Sequence, residues 1–375
     1  MRIAMISTPF LAVPPRGYGG TELIVSTLVE GLHARGHDVT LFATGDSRTG
    51  AELRALYPVA QWPPDPLADV NHVSWALGEV ARGAYDVVHA HSAVALGMAR
   101  LLPTLPLVYT LHHERDERLS AFYRYVPDAF YVAISHDQAR REVALPRLEV
   151  IHHGLDPAAY GWTDRPRDYV CFVGRLAEVK GPHTAIDAAR LAGVPIRVAG
   201  EVHPPDRPFA ERAVLPRLAE PHVTYLGAVG PITKRPLLRD ARALLAPIAW
   251  NEPFGLILVE AMLSGCPVVA FARGSVPELV EEGVTGFVVE TMAEMTDVIR
   301  PGGPVDAFDR LRCRARAVER FGAARMVAEY ERCYARAVAA HAAHATARAA
   351  ERTPGPAPLH DPVQDDAWRT SVRIA

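Results

Sequence analysis

The stretch Trp250-Asn251-Glu252-Pro253-Phe254-Gly255-Leu256-Ile257-Leu258-Val259-Glu260-Ala261-Met262 decides how this chain is read. The apolar run Ala243-Leu244-Leu245-Ala246-Pro247-Ile248 precedes it and predicts a buried strand. Asn251, with Pro253 close behind, signals a helix start, and residues 255–263 then predict a short apolar helix. Gly265 and Pro267 stop that helix, and residues 267–271 predict the next strand. Strand, loop, helix and strand in this order form one unit of a parallel sheet covered on both faces.

Two carboxylates, Glu252 and Glu260, sit eight positions apart in this unit. With Glu252 in the loop and Glu260 in the helix, up to ~12 Å separates them. That is too far to share one proton or one metal ion, and it suits gripping the two ends of an elongated ligand. Between them lie the N–H groups of Phe254, Gly255 and Leu256, which together with the helix dipole favour an anion. The order is a hydroxyl acceptor, a phosphate cradle and a second hydroxyl acceptor, which matches a sugar–diphosphate–ribose ligand. A capped helix with a solvated glutamate would give the same spacing, so the surroundings must decide.

A length of 375 residues predicts two domains, and 49% hydrophobic content fills two cores. A net charge of −3 gives no electrostatic case for nucleic acid. Cys171, Cys266, Cys313 and Cys333 show no C-x-x-C spacing, which fits a reducing, cytoplasmic setting. No apolar run approaches the ~20 residues of a membrane span, and peripheral membrane contact stays open. Of 40 Lys and Arg residues, only Lys180 and Lys234 are lysine, which fits a need for a compact point charge there, with chance the competing explanation for either taken singly.

The chain alternates strand and helix. In the first half, strands are predicted at 3–7, 39–43, 86–89, 107–111, 129–134 and 149–151. Helices are predicted from Thr21 as cap through 22–35, and at 72–82, 92–102 and 135–144, with 45–70 loop-rich. Residues 154–167 read as a linker. The pattern restarts with strands at 169–173, 196–199 and 223–226, a helix at 183–191, the central unit, and a last strand at 286–289. The fold class is α/β, with two doubly wound, Rossmann-like domains facing each other across a cleft. Domain one spans 1–157 and domain two 168–315; helices at 316–346 follow, and 347–375 reads as a disordered tail.

The loops that follow the strands carry the chemistry. Gly17-Tyr18-Gly19-Gly20-Thr21-Glu22 lets backbone approach a phosphate, yet it is not G-x-G-x-x-G, which argues against a nicotinamide enzyme. Gly174-Arg175-Leu176-Ala177-Glu178-Val179-Lys180-Gly181 places a forked and a compact cation at one sheet edge. His112 closes a strand where its ring can meet a sugar hydroxyl; His113 beside it and Ser135 one strand later are weaker candidates for an acceptor site. His152-His153-Gly154 reads as a turn. Histidine spacing supplies no zinc set, and there is no D-x-D to hold a diphosphate through a divalent ion, so no metal and no cofactor are expected.

Taken together, Gly19-Gly20, Thr110-x-His112, Gly174-Arg175 with Lys180-Gly181, Glu252-x7-Glu260 and Gly283-x-x-Gly286-Phe287 resemble the family 4 glycosyltransferases of the GT-B fold. The resemblance implies a retaining hexosyltransferase that needs no metal. Its nucleotide-sugar donor, UDP-linked by preference and GDP-linked as the other choice, is held mainly by domain two, and domain one takes an acceptor that the sequence does not name. It assigns Arg175 and Lys180 to the diphosphate, Glu252 to the donor sugar, Glu260 to the ribose and His112 to the sugar near the reacting carbon. Gly19 and Gly20 approach the phosphate on closure. A helix at 325–345 would cross back to domain one. The alternatives are a nucleotide-sugar 2-epimerase of the same fold and a non-catalytic nucleotide-sugar binding protein.

Overall fold

A computed structural model describes residues 1–352. The first seven strands are β1 (Arg2–Ile6), β2 (Asp38–Phe42), β3 (Glu52–Arg54), β4 (Val87–Ala90), β5 (Leu107–Thr110), β6 (Phe130–Ala133) and β7 (Leu148–Val150). They form one parallel sheet in the order β3-β2-β1-β4-β5-β6-β7. Six more strands are β8 (Val170–Val173), β9 (Ile196–Ala199), β10 (Val223–Tyr225), β11 (Leu244–Ala246), β12 (Val268–Phe271) and β13 (Gly286–Val289). They form a second parallel sheet in the order β10-β9-β8-β11-β12-β13. Helices cover both faces, which is why the central strands read as unbroken apolar runs: Ile3, Ala4, Met5 and Ile6 are all fully buried.

Strand order places the cleft. β1 lies between β2 and β4, and β8 lies between β9 and β11, so the chain turns to opposite sides at these points. The crevice opens at the carboxyl ends of the strands there. Three segments lead into it: 7–19 after β1, 174–181 after β8 and 247–255 after β11.

Several elements differ from expectation. The helix predicted from a Thr21 cap is Gly20–Ala34, with Gly19 as its cap. The loop-rich 45–70 region holds β3 and the first turn of a helix, Pro66–Arg82, six residues earlier than predicted. Asp65 caps that helix by accepting from Leu67 N at 3.1 Å, and Pro66 supplies a fixed φ at its first position. The helix predicted at 92–102 is Val94–Met98 followed by a 3₁₀ turn, Ala99–Leu101. The one predicted at 135–144 is His136–Arg141.

The linker is packed down. Leu155 bridges to Gly322, and the Arg314 guanidinium donates to the carbonyls of Pro157, Tyr160 and Leu263. The final helix, Ala323–Arg352, returns across the first sheet. Val327 fills the space over Gly31, where a Cβ would collide with it. Tyr330 and Tyr334 are fully buried against β4 and β5. One apolar cluster therefore runs unbroken from β1 through Ile151, Leu155, Phe254 and Phe321 to β12. Of the predicted tail, 353–375 lies outside the described residues.

Candidate functional site

The loop carrying Glu252 is fixed from several directions. The helix after it is Leu256–Leu263, and its cap is Gly255, at φ 84° and ψ 65°, rather than Asn251. That left-handed backbone explains the glycine. Ser275 donates through N to Glu252 O at 2.9 Å and through Oγ to Phe254 O at 2.8 Å. Gly274, at φ 56°, lies so close that a Cβ there would overlap the Glu252 backbone amide. From the first sheet, Ser135 Oγ donates to Pro253 O at 2.7 Å. Among the described residues, the N–H groups of Phe254, Gly255 and Leu256 have no protein acceptor.

Each of the two lysines pairs with one of the two glutamates. Lys180 Nζ lies 2.5 Å from Glu252 Oε2 and 4.6 Å from the centre of the Trp250 ring. Trp250 Nε1 donates to the same carboxylate oxygen at 3.0 Å. Lys234 Nζ lies 2.7 Å from Glu260 Oε1, which also accepts from Tyr160 OH at 3.0 Å. Glu252 and Glu260 are both buried. Buried carboxylates need paired charge and hydrogen bonds, and these have both. Lys180 is thus not a free cation awaiting an anion; it and Glu252 form one unit. Lys234 and Tyr160 were not legible as site residues, although the scarcity of lysine pointed at position 234.

Arg175 Nε lies 3.3 Å from Asp206 Oδ2, and the Arg175 side chain is half-buried. The glycine-rich loop of the first sheet reaches over to the second. A Cβ on Gly20 would sit 3.2 Å from Leu256 Cδ1, and one on Gly230 would sit 3.3 Å from Arg16 O. Tyr18, exposed, meets the His203 ring edge-on at 6.2 Å and lies within electrostatic reach of Arg175 and Glu252.

His112 belongs to a row of histidines. Its Nε2 is 2.7 Å from His91 Nδ1, and its ring stacks on His153 at 5.3 Å and 21°. Phe254 closes the row, edge-on to His153 at 5.0 Å. His89 continues it inward, bonded to Tyr334 OH at 2.7 Å and Thr110 Oγ1 at 2.8 Å. Burial holds His112 and His89 neutral by pushing both imidazoles down to about 3, and it pushes His91 and His153 well below the ordinary range. His153 is therefore more than the turn residue expected of it: it links His112 to the Glu252 loop.

Two candidates stand apart. Ser135 is fully buried; its hydroxyl donates to Pro253 O and accepts from Gln138 N at 3.0 Å, so in this conformation it meets no ligand. His113 is engaged at both nitrogens, with Glu114 O at 2.7 Å and Tyr123 OH at 2.9 Å.

A second clasp joins the two sheets. Glu278 accepts from the N–H groups of His136 at 2.8 Å and Asp137 at 3.0 Å, and from His152 Nε2. Burial pushes its carboxyl up, but these donors outweigh that and bring it down to about 2. His152 too is a contact residue and not simply part of a turn.

Comparison with known proteins places this geometry. The model described as Glycosyltransferase Family 4 matches residues 18–159, and that described as Glycosyl transferases group 1 matches residues 163–299. A D-inositol 3-phosphate glycosyltransferase from Mycolicibacterium paratuberculosis is 32% identical over 251 residues, 55% of this chain and 56% of that protein. The chain spans about half the length of the curated relatives it matches. AviGT4, a glycosyltransferase involved in avilamycin A biosynthesis, aligns at a TM-score of 0.70 and 25% identity, over 91% of this chain and 98% of that one. A sucrose-phosphate synthase from Thermosynechococcus elongatus shares the fold at a TM-score of 0.75 and 21% identity, over 91% of this chain and all of that one (100%). With two matching models in tandem and both Rossmann-like sheets in place, the chain belongs to the family 4 glycosyltransferases of the GT-B fold.

Proposed function

We propose that the chain transfers a hexose from a UDP-linked donor to a hydroxyl of a saccharide or polyol acceptor, with retention of configuration. The observation that carries this is the pairing of Lys180 with Glu252 and Lys234 with Glu260 on either side of unpaired backbone N–H groups. These groups offer hydroxyl acceptors and anion donors in the order that a nucleotide sugar presents hydroxyls and phosphates. A fold neighbour from Anabaena, 21% identical with a TM-score of 0.69 over 88% of this chain and 98% of its own, was crystallised with UDP and glucose, which supports UDP as the first nucleotide to try. The relative acting on D-inositol 3-phosphate makes a small polyol a sensible first acceptor.

In this reading the bond from the anomeric carbon to the phosphate oxygen breaks, and negative charge grows on UDP. Arg175, Lys180 and the N–H groups around Gly255 stabilise that charge, as preorganised donors do. Lys180 shares itself between Glu252 and the departing phosphate. Glu252 orients the sugar through its hydroxyls. The acceptor hydroxyl attacks the face from which UDP leaves and passes its proton to the leaving phosphate, so no protein nucleophile is needed. Domains 1–157 and 168–315 then act as acceptor and donor halves, and no metal takes part.

The test is UDP release from UDP-glucose in an acceptor screen, with the anomeric configuration of the product read by NMR and a chelator arm run beside it. An α-linked product formed equally with chelator supports the reading. A β-linked product, or turnover that only added metal restores, overturns the retaining or metal-free part.

A further inference from the structure

His91 follows β4 and is buried, away from the cleft surface. Its two ring nitrogens face different neighbours. Nε2 lies 3.2 Å from Met5 Sδ, and Nδ1 lies 2.7 Å from His112 Nε2. A thioether sulfur can accept a hydrogen bond and cannot donate one. The proton of a neutral His91 therefore sits on Nε2, pointing at Met5. The opposite tautomer would press a nitrogen lone pair against the sulfur lone pairs at that same separation.

This choice passes along the row. A neutral imidazole carries a single N–H, so His91 Nδ1 is bare and can only accept. His112 Nε2 must then be the donor across the 2.7 Å contact. With its one proton used there, His112 Nδ1 is a bare lone pair. His112 is half-buried, and among the described residues its Nδ1 has no hydrogen-bond partner, which leaves that nitrogen available to a ligand. Stacking on His153, itself backed by Phe254, holds the ring plane. The burial that keeps all these rings neutral leaves the assignment no charged alternative.

We infer that His91 is a positioning residue: through the Met5–His91–His112 contacts it fixes the tautomer of His112, so that His112 presents an acceptor, never a donor, to a sugar hydroxyl in the cleft. The identity of the sugar-bearing ligand rests on the donor reading above; the tautomer does not.

The experiment has two arms. In the first, long-range ¹H–¹⁵N correlation on ¹⁵N-histidine-labelled wild-type protein reads the ring nitrogens, with the His112 signal assigned by its loss in His112→Asn. The expected result is a neutral ring protonated at Nε2 and bare at Nδ1. A ring protonated at Nδ1, or at both nitrogens near neutral pH, overturns the proposal. In the second, calorimetry compares UDP with UDP-glucose. His91→Leu removes the acceptor and is expected to lower UDP-glucose affinity about fivefold, with UDP unchanged. His91→Asn puts a carbonyl oxygen where Nδ1 was and is expected to restore the sugar increment. Equal weakening of both ligands in His91→Leu, or no rescue by His91→Asn, overturns the positioning role. A wild type that binds neither ligand sinks the donor reading alone, and the ring resonances still decide the tautomer.

Discussion

Lys234 Nζ sits 2.7 Å from Glu260 Oε1, and the Glu260 side chain is only 4% exposed. A buried carboxylate that loses its cation keeps its desolvation cost, so breaking such a pair costs about 3 kcal/mol or more. Lys234→Met should therefore lower stability by that order in denaturant unfolding and weaken donor binding as well. Adding Glu260→Gln removes the orphaned charge and should recover most of the stability. It should not recover donor affinity, because the carboxylate proposed to take the ribose hydroxyls is replaced by a weaker, uncharged acceptor. Recovery of both by the double variant would mean that Glu260 serves packing alone.

Lys180 should behave differently, because the proposed mechanism puts its partner Glu252 at the reacting end of the site. Lys180→Ala should lower kcat by ~10²–10³; it also leaves buried Glu252 without its cation, so some stability is lost while the fold survives. Lys180→Arg should restore little, since the space between Glu252 and the Trp250 ring holds a compact ammonium and a planar fork fits it poorly. The measurement is steady-state turnover alongside far-ultraviolet circular dichroism. Near-normal turnover in Lys180→Ala would remove this residue from the charge-stabilising set.

Gly274 and Gly283 separate backbone strain from damage to the site. Both have positive φ, 56° and 67°. A Cβ at Gly283 meets nothing within 4 Å, whereas one at Gly274 runs into the Glu252 amide. Gly283→Ala should cost about 1 kcal/mol of stability and leave turnover intact. Gly274→Ala should displace Glu252 and cut turnover at least tenfold beyond what its stability loss explains. Thermal unfolding and kcat, measured on both variants, give the comparison; equal kcat in the two would refute the role given to Gly274.

The fold could be read because its strands are buried on both faces and its loops carry glycine and proline. Where those signals fail, so did the reading. β3 is Glu52-Leu53-Arg54, an edge strand of three residues with two charges and no apolar run. The start of the Pro66–Arg82 helix was legible in Asp65-Pro66, a cap followed by proline, but was masked by the prolines around it. In the site, Glu252, Lys180 and the glycine loops could be found because each lies in a motif-bearing loop that follows a strand. Lys234, Tyr160, His91 and His153 could not, because each acts through a partner distant in sequence: Tyr160 lies 100 residues from Glu260, and His91 lies 21 from His112. Such pairings exist only once the chain is folded: His91 and His112 meet at the ends of adjacent strands of the first sheet, and Lys234 and Glu260 meet between two helices of the second domain.

Glu278 makes the contact between the two sheets sensitive to acid. Its carboxylate takes hydrogen bonds from His136 N, Asp137 N and His152, and the Arg320 guanidinium donates to its backbone carbonyl at 2.6 Å. The folded pKa is about 2 against an ordinary value of 4.5. A depressed carboxylate contributes stability above its unfolded pKa and loses it as pH falls through the folded one. Solvent screening discounts the full shift, so the contribution is on the order of 1–2 kcal/mol near neutrality and should fade between about pH 4.5 and 2. Glu278→Gln keeps one acceptor oxygen and removes the charge, so it should be less stable than wild type at pH 7. The gap should close as pH drops through that window, even though other carboxylates make both proteins acid-labile. Denaturant unfolding of the two proteins from pH 7 to the lowest pH at which both refold would show it. A gap that stays constant with pH would mean that the clasp is held by shape and neutral hydrogen bonds, with the charge on Glu278 contributing nothing.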